Sequence, residues 1–367
     1  MAADRLYLDH AATTPMLAQA QAAMVAAMGH WANPSSAHAD GRAARAALED
    51  ARARIAAALG WQGHVIFTSG ASEAIAIGLG RTKARRVVTS AVEHDAVLRV
   101  TKGAERLAVD GDGIVRTPVR AEPVEAPFWP EEKESPSTSS RRTDHNILFA
   151  IQHVNNETGV IQPLGELDRS GAILFADCAQ SAGKLPLPDA DMIAISGHKF
   201  GGPPGIGALL IRDLALIEAS GGQEQGYRAG TENLPAILAM AAALEARADW
   251  LPGAAALRAR LDAGIVAAGG VIVARDAPRI AAIASYRMPG LSARAQLIQF
   301  DMAGISVSAG SACSSGSLKT SHVLHAMGWD EAVASEVVRV SFGPQTHEGD
   351  VDRFLAAWTA MAARARR

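Results

Sequence analysis

The stretch ISGHKFGGPPGIG places Lys199 at the end of an apolar run, just before a turn rich in glycine and proline. Three readings fit a lysine there. It is an exposed residue ahead of a turn, as loop residues usually are. It serves a nucleotide-binding loop, a reading weakened because neither the Walker nor the dinucleotide glycine spacing is present. Or it is an amine that captures a carbonyl group as a Schiff base, which requires companions at neighbouring strand ends. The chain offers such companions. Asp177 in ILFADCAQS follows an apolar run, where an unpaired carboxylate would be costly, although a helix N-cap places an aspartate in the same way. Gln180 follows it closely, and Asn156 lies in HVNNETG beyond another apolar run. FTSGASEA sets Ala71 and Ser72 at a glycine turn that opens a helix, a place suited to a phosphate. His94 in AVEHDAVL has the shape to stack on a ring, and equally to serve the structure.

Together these groups match the demands of pyridoxal phosphate. Its aldehyde needs an amine, and its ring nitrogen needs a buried carboxylate that keeps it protonated. Its hydroxyl needs a hydrogen-bond partner, its phosphate the backbone amides of a helix start, and its ring face a flat neighbour. A second chemical candidate stands apart. SVSAGSACSSGSLKTSH surrounds Cys313 with serine, glycine and alanine, which cannot build a core, whereas a buried cysteine normally has apolar neighbours.

The elements that must position these residues alternate along the chain. HVIFTSG reads as a strand and ASEAIAIGLG as the helix after it. ARRVVTSAVEH, NILFAIQHVNN, AILFADCAQS, DMIAISGHK and GIGALLIR read as further strands, and NLPAILAMAAALEARADWL as a long helix. Strands separated by helices imply an α/β fold with a mostly parallel sheet, whose ligands bind beyond the carboxyl ends of the strands. After about Trp250 the pattern restarts with a helix, short strands and a last helix, as a smaller second domain would. Ala121 to Asp144 is rich in proline, glutamate and serine with little periodicity, and reads as a flexible surface insertion.

The 367 residues suffice for a large and a small domain around a well-buried core. A net charge of -3 with mixed signs leaves no basic footprint for nucleic acid. No apolar run reaches membrane-spanning length, and MAADRLYLDHAATTP lacks the basic and apolar segments of a secretory signal. Two cysteines make a poor disulfide framework. The expectation is a cytoplasmic protein that takes no metal and has no direct nucleic-acid or membrane partner.

In order along the chain, YLDHAATTP, NPSSAH, FTSGASEA, EHDAVL, HVNNETGV, SGHKFGGPPGIGAL, GGQEQGYRAGTEN, SAGSACSSG and VVRVSFG resemble the cysteine desulfurases. These are fold-type I pyridoxal-phosphate enzymes of the class V aminotransferase group, and the likeness runs from Tyr7 to the last helix. It implies a large cofactor-binding domain over 15–250, with a mostly parallel seven-stranded sheet between helices. It also implies a smaller C-terminal α/β domain over 251–367, completed by 1–14 and carrying the cysteine loop, and a homodimer.

On matching positions, the resemblance implies that Lys199 holds pyridoxal 5'-phosphate and shuttles the substrate's α-proton. His94 stacks on the ring and takes part in proton transfer, and Asp177 pairs with the ring nitrogen. Gln180 and Asn156 lie near the ring oxygen, and Ala71, Ser72, Ser196 and His198 surround the phosphate. Thr231 reaches the phosphate of the other subunit, and Asn33 lies near the substrate. Arg339 grips the substrate carboxylate, a task suited to a planar fork of donors, although a strand-edge surface arginine would read alike. Cys313, on a flexible tether, takes sulfur from L-cysteine as a persulfide and leaves L-alanine. Cys178, directly after Asp177, reads as a packed thiol.

SAGSACSSGS resembles the long-loop type, which passes sulfur to acceptor proteins for iron–sulfur cluster assembly or tRNA thiolation. Selenocysteine lyase, or another enzyme of the same fold, is the alternative activity, and a non-catalytic scaffold is the remaining one. The chain departs from the family in four places. The 121–144 insertion stands where a helix is usual, and the stretch before AILFADC is too short for its usual helix. SEAIAIGL lacks the asparagine usual after its glutamate, and Gly201 and Pro204 replace a common tyrosine and lysine.

Overall fold

The computed structural model describes residues 5–29, 32–116, 146–169, 171–247, 249–310 and 320–366. The expected insertion over 121–144 and the stretch 311–319 with Cys313 lie outside the described residues.

The strands are β1 Leu6–Tyr7, β2 His64–Thr68, β3 Arg86–Ser90, β4 Glu105–Leu107, β5 Ile147–Gln152, β6 Ile173–Asp177, β7 Met192–Ser196 and β8 Gly207–Ile211, followed by β9 Val271–Ile272, β10 Ile283–Arg287, β11 Ile305–Ser306, β12 Ser308–Ala309 and β13 Val337–Ser341. The α-helices are α1 Ala18–Met28, α2 Ala39–Leu59, α3 Ala71–Gly80, α4 Asp95–Val100, α5 Leu234–Glu245, α6 Leu251–Ala267, α7 Ala293–Met302, α8 His322–Ala326, α9 Glu331–Ala334 and α10 Glu348–Ala365.

Seven strands form one sheet in the order β2-β8-β7-β6-β5-β3-β4. All its pairings are parallel except those of β8 with β2 and β7, so the expected mostly parallel sheet is present. Every residue of β6, β7 and β8 is buried, because helices cover both faces. Side chains alternate across the sheet with the period of two that a strand dictates. Phe67, Leu174 and Ile193 face α2 and α5, while Ile66, Phe175 and Leu209 face α3 and α4.

A second core gathers around the antiparallel sheet β12-β13-β10-β9. Phe300, Phe354 and Trp358 pack there with Tyr286, and the rings of Phe300 and Phe354 stack at 4.8 Å. Arg258 is buried with them. Its guanidinium lies 4.2 Å from the Phe342 ring and donates to the Tyr286 hydroxyl at 2.7 Å, so the charge is both stacked and bonded.

Two segments join the sheets. The chain start runs as β1 beside β11, makes a bridge from Asp9 to Ser341, and then crosses to the large sheet, where Thr14 N–H donates to the His198 carbonyl at 2.8 Å. The loop after β5 reaches the other way: Ile280 N–H donates to the Gly159 carbonyl at 2.9 Å, and Ile161 N–H to the Pro278 carbonyl at 2.8 Å. Between β5 and β6 the only helical turn among the described residues is Leu164–Glu166, a 3-10 turn, in keeping with the expected loss of a helix there. Ile147 and Phe149 are accordingly only partly buried.

Candidate active site

The carboxyl ends of five parallel strands open into one cavity of about 1160 Å³. β2 delivers Ser69, Gly70, Ala71 and Ser72; β3 delivers His94; β5 delivers Asn156 and Glu157; β6 delivers Asp177 and Gln180; β7 delivers Ser196, His198 and Lys199. The second sheet contributes Arg339 from β13 and Ser308, Ala309 and Gly310 from β12 and its end, and the chain start contributes Asp9, Ala11 and Ala12.

Lys199 Nζ donates to the carbonyls of Ala11 and Ala12 at 2.7 and 2.8 Å, with no carboxylate bonded to it among the described residues. Burial, and then the charge of Arg339, pull its amine down to about 8, toward the neutral form that attacks carbonyl carbon. Asp177 is buried at the end of β6. Its Oδ1 accepts Ala179 N–H at 2.9 Å, and burial pushes its carboxyl above the ordinary range. Gln180 is also buried; Nε2 donates to the Ala11 carbonyl at 2.9 Å, while Oε1 has no partner among the described residues.

His94 caps α4 by accepting Ala96 N–H on Nδ1 at 3.1 Å, so its neutral ring carries the proton on Nε2. Burial lowers its pKa, which keeps the ring neutral near pH 7. The capping residue also lines the cavity, so its structural role does not remove its ring from the site. His198 Nδ1 lies 3.1 Å from Thr13 Oγ1, and burial lowers its pKa to about 4.

Arg339 is buried, not a surface residue. Nη2 donates to Asp9 Oδ1 at 2.8 Å and Nη1 to the Asn156 carbonyl at 2.9 Å, while the buried Nε has no partner among the described residues. A buried guanidinium with a spare donor in a cavity is matched to an incoming carboxylate.

These features fit pyridoxal phosphate. The buried carboxyl of Asp177 is matched to a protonated ring nitrogen, and the orphaned Gln180 oxygen and a lysine amine whose pKa is lowered to about 8 belong to residues that line the same space. At the start of α3, Gly70 has φ 155°, and a Cβ built there would come 3.6 Å from Ser196 Oγ. Gly70, Ala71 and Ser72 at the start of that ten-residue helix line the cavity, and the N–H groups that a helix start leaves without intrahelical partners suit a phosphate there.

Ten of the thirteen anticipated site residues thus line one cavity. Of the other three, Cys313 is outside the described residues, and Thr231 is exposed and does not line the cavity of its own chain. Asn33 is also exposed and does not line the cavity; its Oδ1 turns back to accept Ser35 N–H at 2.8 Å. Cys178 is fully buried, and burial pushes its thiol up.

The sequence reading missed Asp9, Glu93, Glu157 and His322. Glu93 is fully buried, accepts Ser90 Oγ at 2.6 Å and Gln152 N–H at 2.8 Å, and is pushed by burial to about 8. His322 Nε2 lies 2.9 Å from the Glu93 carbonyl. The only signal in the sequence was that each of these four lies within or beside a stretch already singled out.

Residues 6–354 match the family model described as aminotransferase class-V. The chain is 36% identical over 390 aligned positions to an IscS-like cysteine desulfurase of Mycobacterium tuberculosis, with 98% of this chain and 97% of that protein covered. Among solved structures it is similar to a NifS-like protein from Rickettsia africae, with TM-score 0.82, 27% identity, and 98% and 99% of the two chains covered. It is also similar to SspA in complex with cysteine, with TM-score 0.73, 28% identity, and 93% and 100% covered. A full-length match of this kind, on a fold whose strand ends hold an amine, a buried carboxyl and a guanidinium in one cavity, places the chain in the class-V aminotransferase family and, within it, among the cysteine desulfurases.

Proposed function

We propose that this chain removes sulfur from L-cysteine with pyridoxal 5'-phosphate as cofactor, giving L-alanine and a persulfide on Cys313. The observation that carries the reading is the shared cavity of Lys199, Arg339 and Gly310. Cys313 is three residues beyond Gly310, so chain geometry alone keeps its Cα within about 11 Å of the Gly310 Cα. The last described residue before the thiol, Gly310, thus lines the cavity that holds the lysine.

When bound, pyridoxal phosphate supplies an electron sink for charge that develops at the substrate's α-carbon. Lys199 would hold the group, with Asp177 at its ring nitrogen, Gln180 and Asn156 near its ring oxygen, His94 against its face, and Ala71, Ser72, Ser196 and His198 about its phosphate. Arg339 binds the substrate carboxylate through its spare donor and so orients the α-hydrogen toward Lys199. The lysine amine, near 8, takes that proton and returns it within the cavity. The Cys313 thiolate then attacks the substrate sulfur. A sulfur–sulfur bond forms as the carbon–sulfur bond breaks, and the electron pair goes to the β-carbon, which takes a proton and becomes the methyl group of alanine.

Further parts of the reading rest on the family. Thr231, exposed on its own chain, would complete the phosphate site of a second copy in a homodimer. An acceptor protein of iron–sulfur cluster assembly or tRNA thiolation would take the persulfide sulfur. A thiol with this task suits the reducing cytoplasm. The division into 15–250 and 251–367 with 1–14 is supported by the two separate apolar cores.

The test is Cys313→Ser with L-cysteine and L-selenocysteine supplied separately. Wild-type protein should form alanine from L-cysteine, and the variant should bind L-cysteine, seen as an absorbance change of the cofactor, yet release no sulfur without added thiol. Equal sulfide and selenide release that does not depend on Cys313 would instead mark a selenocysteine lyase.

A further inference from the structure

Glu157 is buried in the loop after β5, and nothing in the mechanism above uses it. Its main chain is fixed on both sides: its N–H donates to Asn155 Oδ1 at 2.9 Å, and its carbonyl accepts Ser285 Oγ at 2.8 Å. The side chain lines the cavity, where Oε2 accepts the hydroxyl of Ser321. The same oxygen faces Gly310, where any Cβ would overlap it. Gly310 and Ser321 stand on either side of the stretch 311–319, with Thr320 the one described residue between that stretch and Ser321. Two positions eleven residues apart in sequence therefore meet at a single carboxylate oxygen.

No lysine or arginine bonds to this carboxyl among the described residues, and burial pushes its pKa up. The charges of His322 and Arg339 act on it only through space and favour its ionised form, against the larger effect of burial. A buried acid with no bonded cation is costly, and an apolar side chain of similar volume would fill the space at less cost. What an apolar side chain would lack is an acceptor for Ser321.

We propose that Glu157 is a positioning residue whose carboxyl pins Gly310 and Ser321, the two flanks of the Cys313 stretch, to the cavity wall and so sets the point from which the thiol reaches the substrate. The proposal rests on the reading of Cys313 as the sulfur acceptor. It separates two steps: Lys199 and Arg339 bind and activate the substrate without Glu157, whereas transfer of sulfur to Cys313 depends on it.

The experiment measures single-turnover persulfide formation on Cys313 in the cofactor-loaded protein, together with cofactor absorbance and the L-cysteine concentration for half-maximal absorbance change. Glu157→Ala should slow persulfide formation about tenfold or more, equivalent to about 1.4 kcal/mol, and leave both absorbance readouts as in the wild type. Glu157→Gln, which keeps an acceptor for Ser321, should stay within about threefold of wild type. Gly310→Ala should be slow in the wild-type background and add less than about twofold on Glu157→Ala, because the oxygen it strikes is gone. A Glu157→Ala protein that forms persulfide at the wild-type rate, or Gly310→Ala effects that are equal in both backgrounds, would overturn the proposal. Should Glu157→Ala not fold, Gly310→Ala alone decides, since a wild-type persulfide rate in that variant contradicts the clamp. Absence of persulfide on Cys313 in the wild-type control would instead sink the reading of the activity itself.

Discussion

The cavity has two walls of different construction. One is made by the ends of β6 and β7, adjacent and wholly buried strands that deliver Asp177, Gln180, Ser196 and Lys199 within a few residues of their last ladder bonds. The other is assembled from scattered pieces: Asp9 from the chain start, Asn156 and Glu157 from the loop after β5, Gly310 after β12, His322 at the start of α8, and Arg339 on β13. A single sheet fixes the first wall, while the second exists only because two sheets meet. In the proposed reaction the first wall would serve the cofactor and the α-proton, and the second would present the substrate to them.

The largest effect should come from the first wall. Lys199→Ala is expected to lower alanine formation by up to about 10⁴-fold, the range over which a positioned proton-transfer group contributes, and to remove the covalent cofactor absorbance. Persistent turnover with that absorbance retained would break the division between the walls. Arg339→Lys tests the second wall. It should raise KM for L-cysteine about 10- to 100-fold, as for a lost charge-assisted hydrogen bond, with a smaller change in kcat, because the substitution removes a planar donor and leaves proton transfer in place. An effect confined to kcat would move Arg339 to the chemical side.

The smallest effect concerns pH. Because the Lys199 amine lies near 8, its reactive neutral form increases as pH rises through that value. Capture of pyridoxal phosphate by cofactor-free protein should accelerate about tenfold per pH unit below pH 8 and level off above it. Stopped-flow absorbance measures this directly, and a rate that is flat from pH 6.5 to 9 would contradict the amine's depressed pKa.

The same contrast explains what could be read from sequence. The first wall was legible because every one of its groups follows an apolar run by a few residues, and a buried parallel strand needs such a run. The six strand-like runs before Trp250 all became strands of the large sheet, with β4 added as a three-residue, mostly exposed strand too short to show a period. The second wall was mostly illegible. β1, β11 and β12 have two residues each, so no alternation marks them, and Asp9 is placed only by pairing with residues about three hundred positions away. Glu157 stood inside the quoted HVNNETGV, but its side-chain partners lie on the far side of the chain, at Gly310 and Ser321. Arg339 was located by family resemblance, and only the fold revealed that it is buried against Asp9.

The central claim is that one thiol receives the sulfur in the cavity that holds Lys199. The direct test is to mix cofactor-loaded protein with one equivalent of L-cysteine, quench, alkylate, digest and weigh the two cysteine-containing peptides. The account predicts that the peptide with Cys313 gains one sulfur atom in step with alanine formation, while the peptide with Cys178 keeps its mass. Alanine formed at full rate with no sulfur on Cys313 would contradict it.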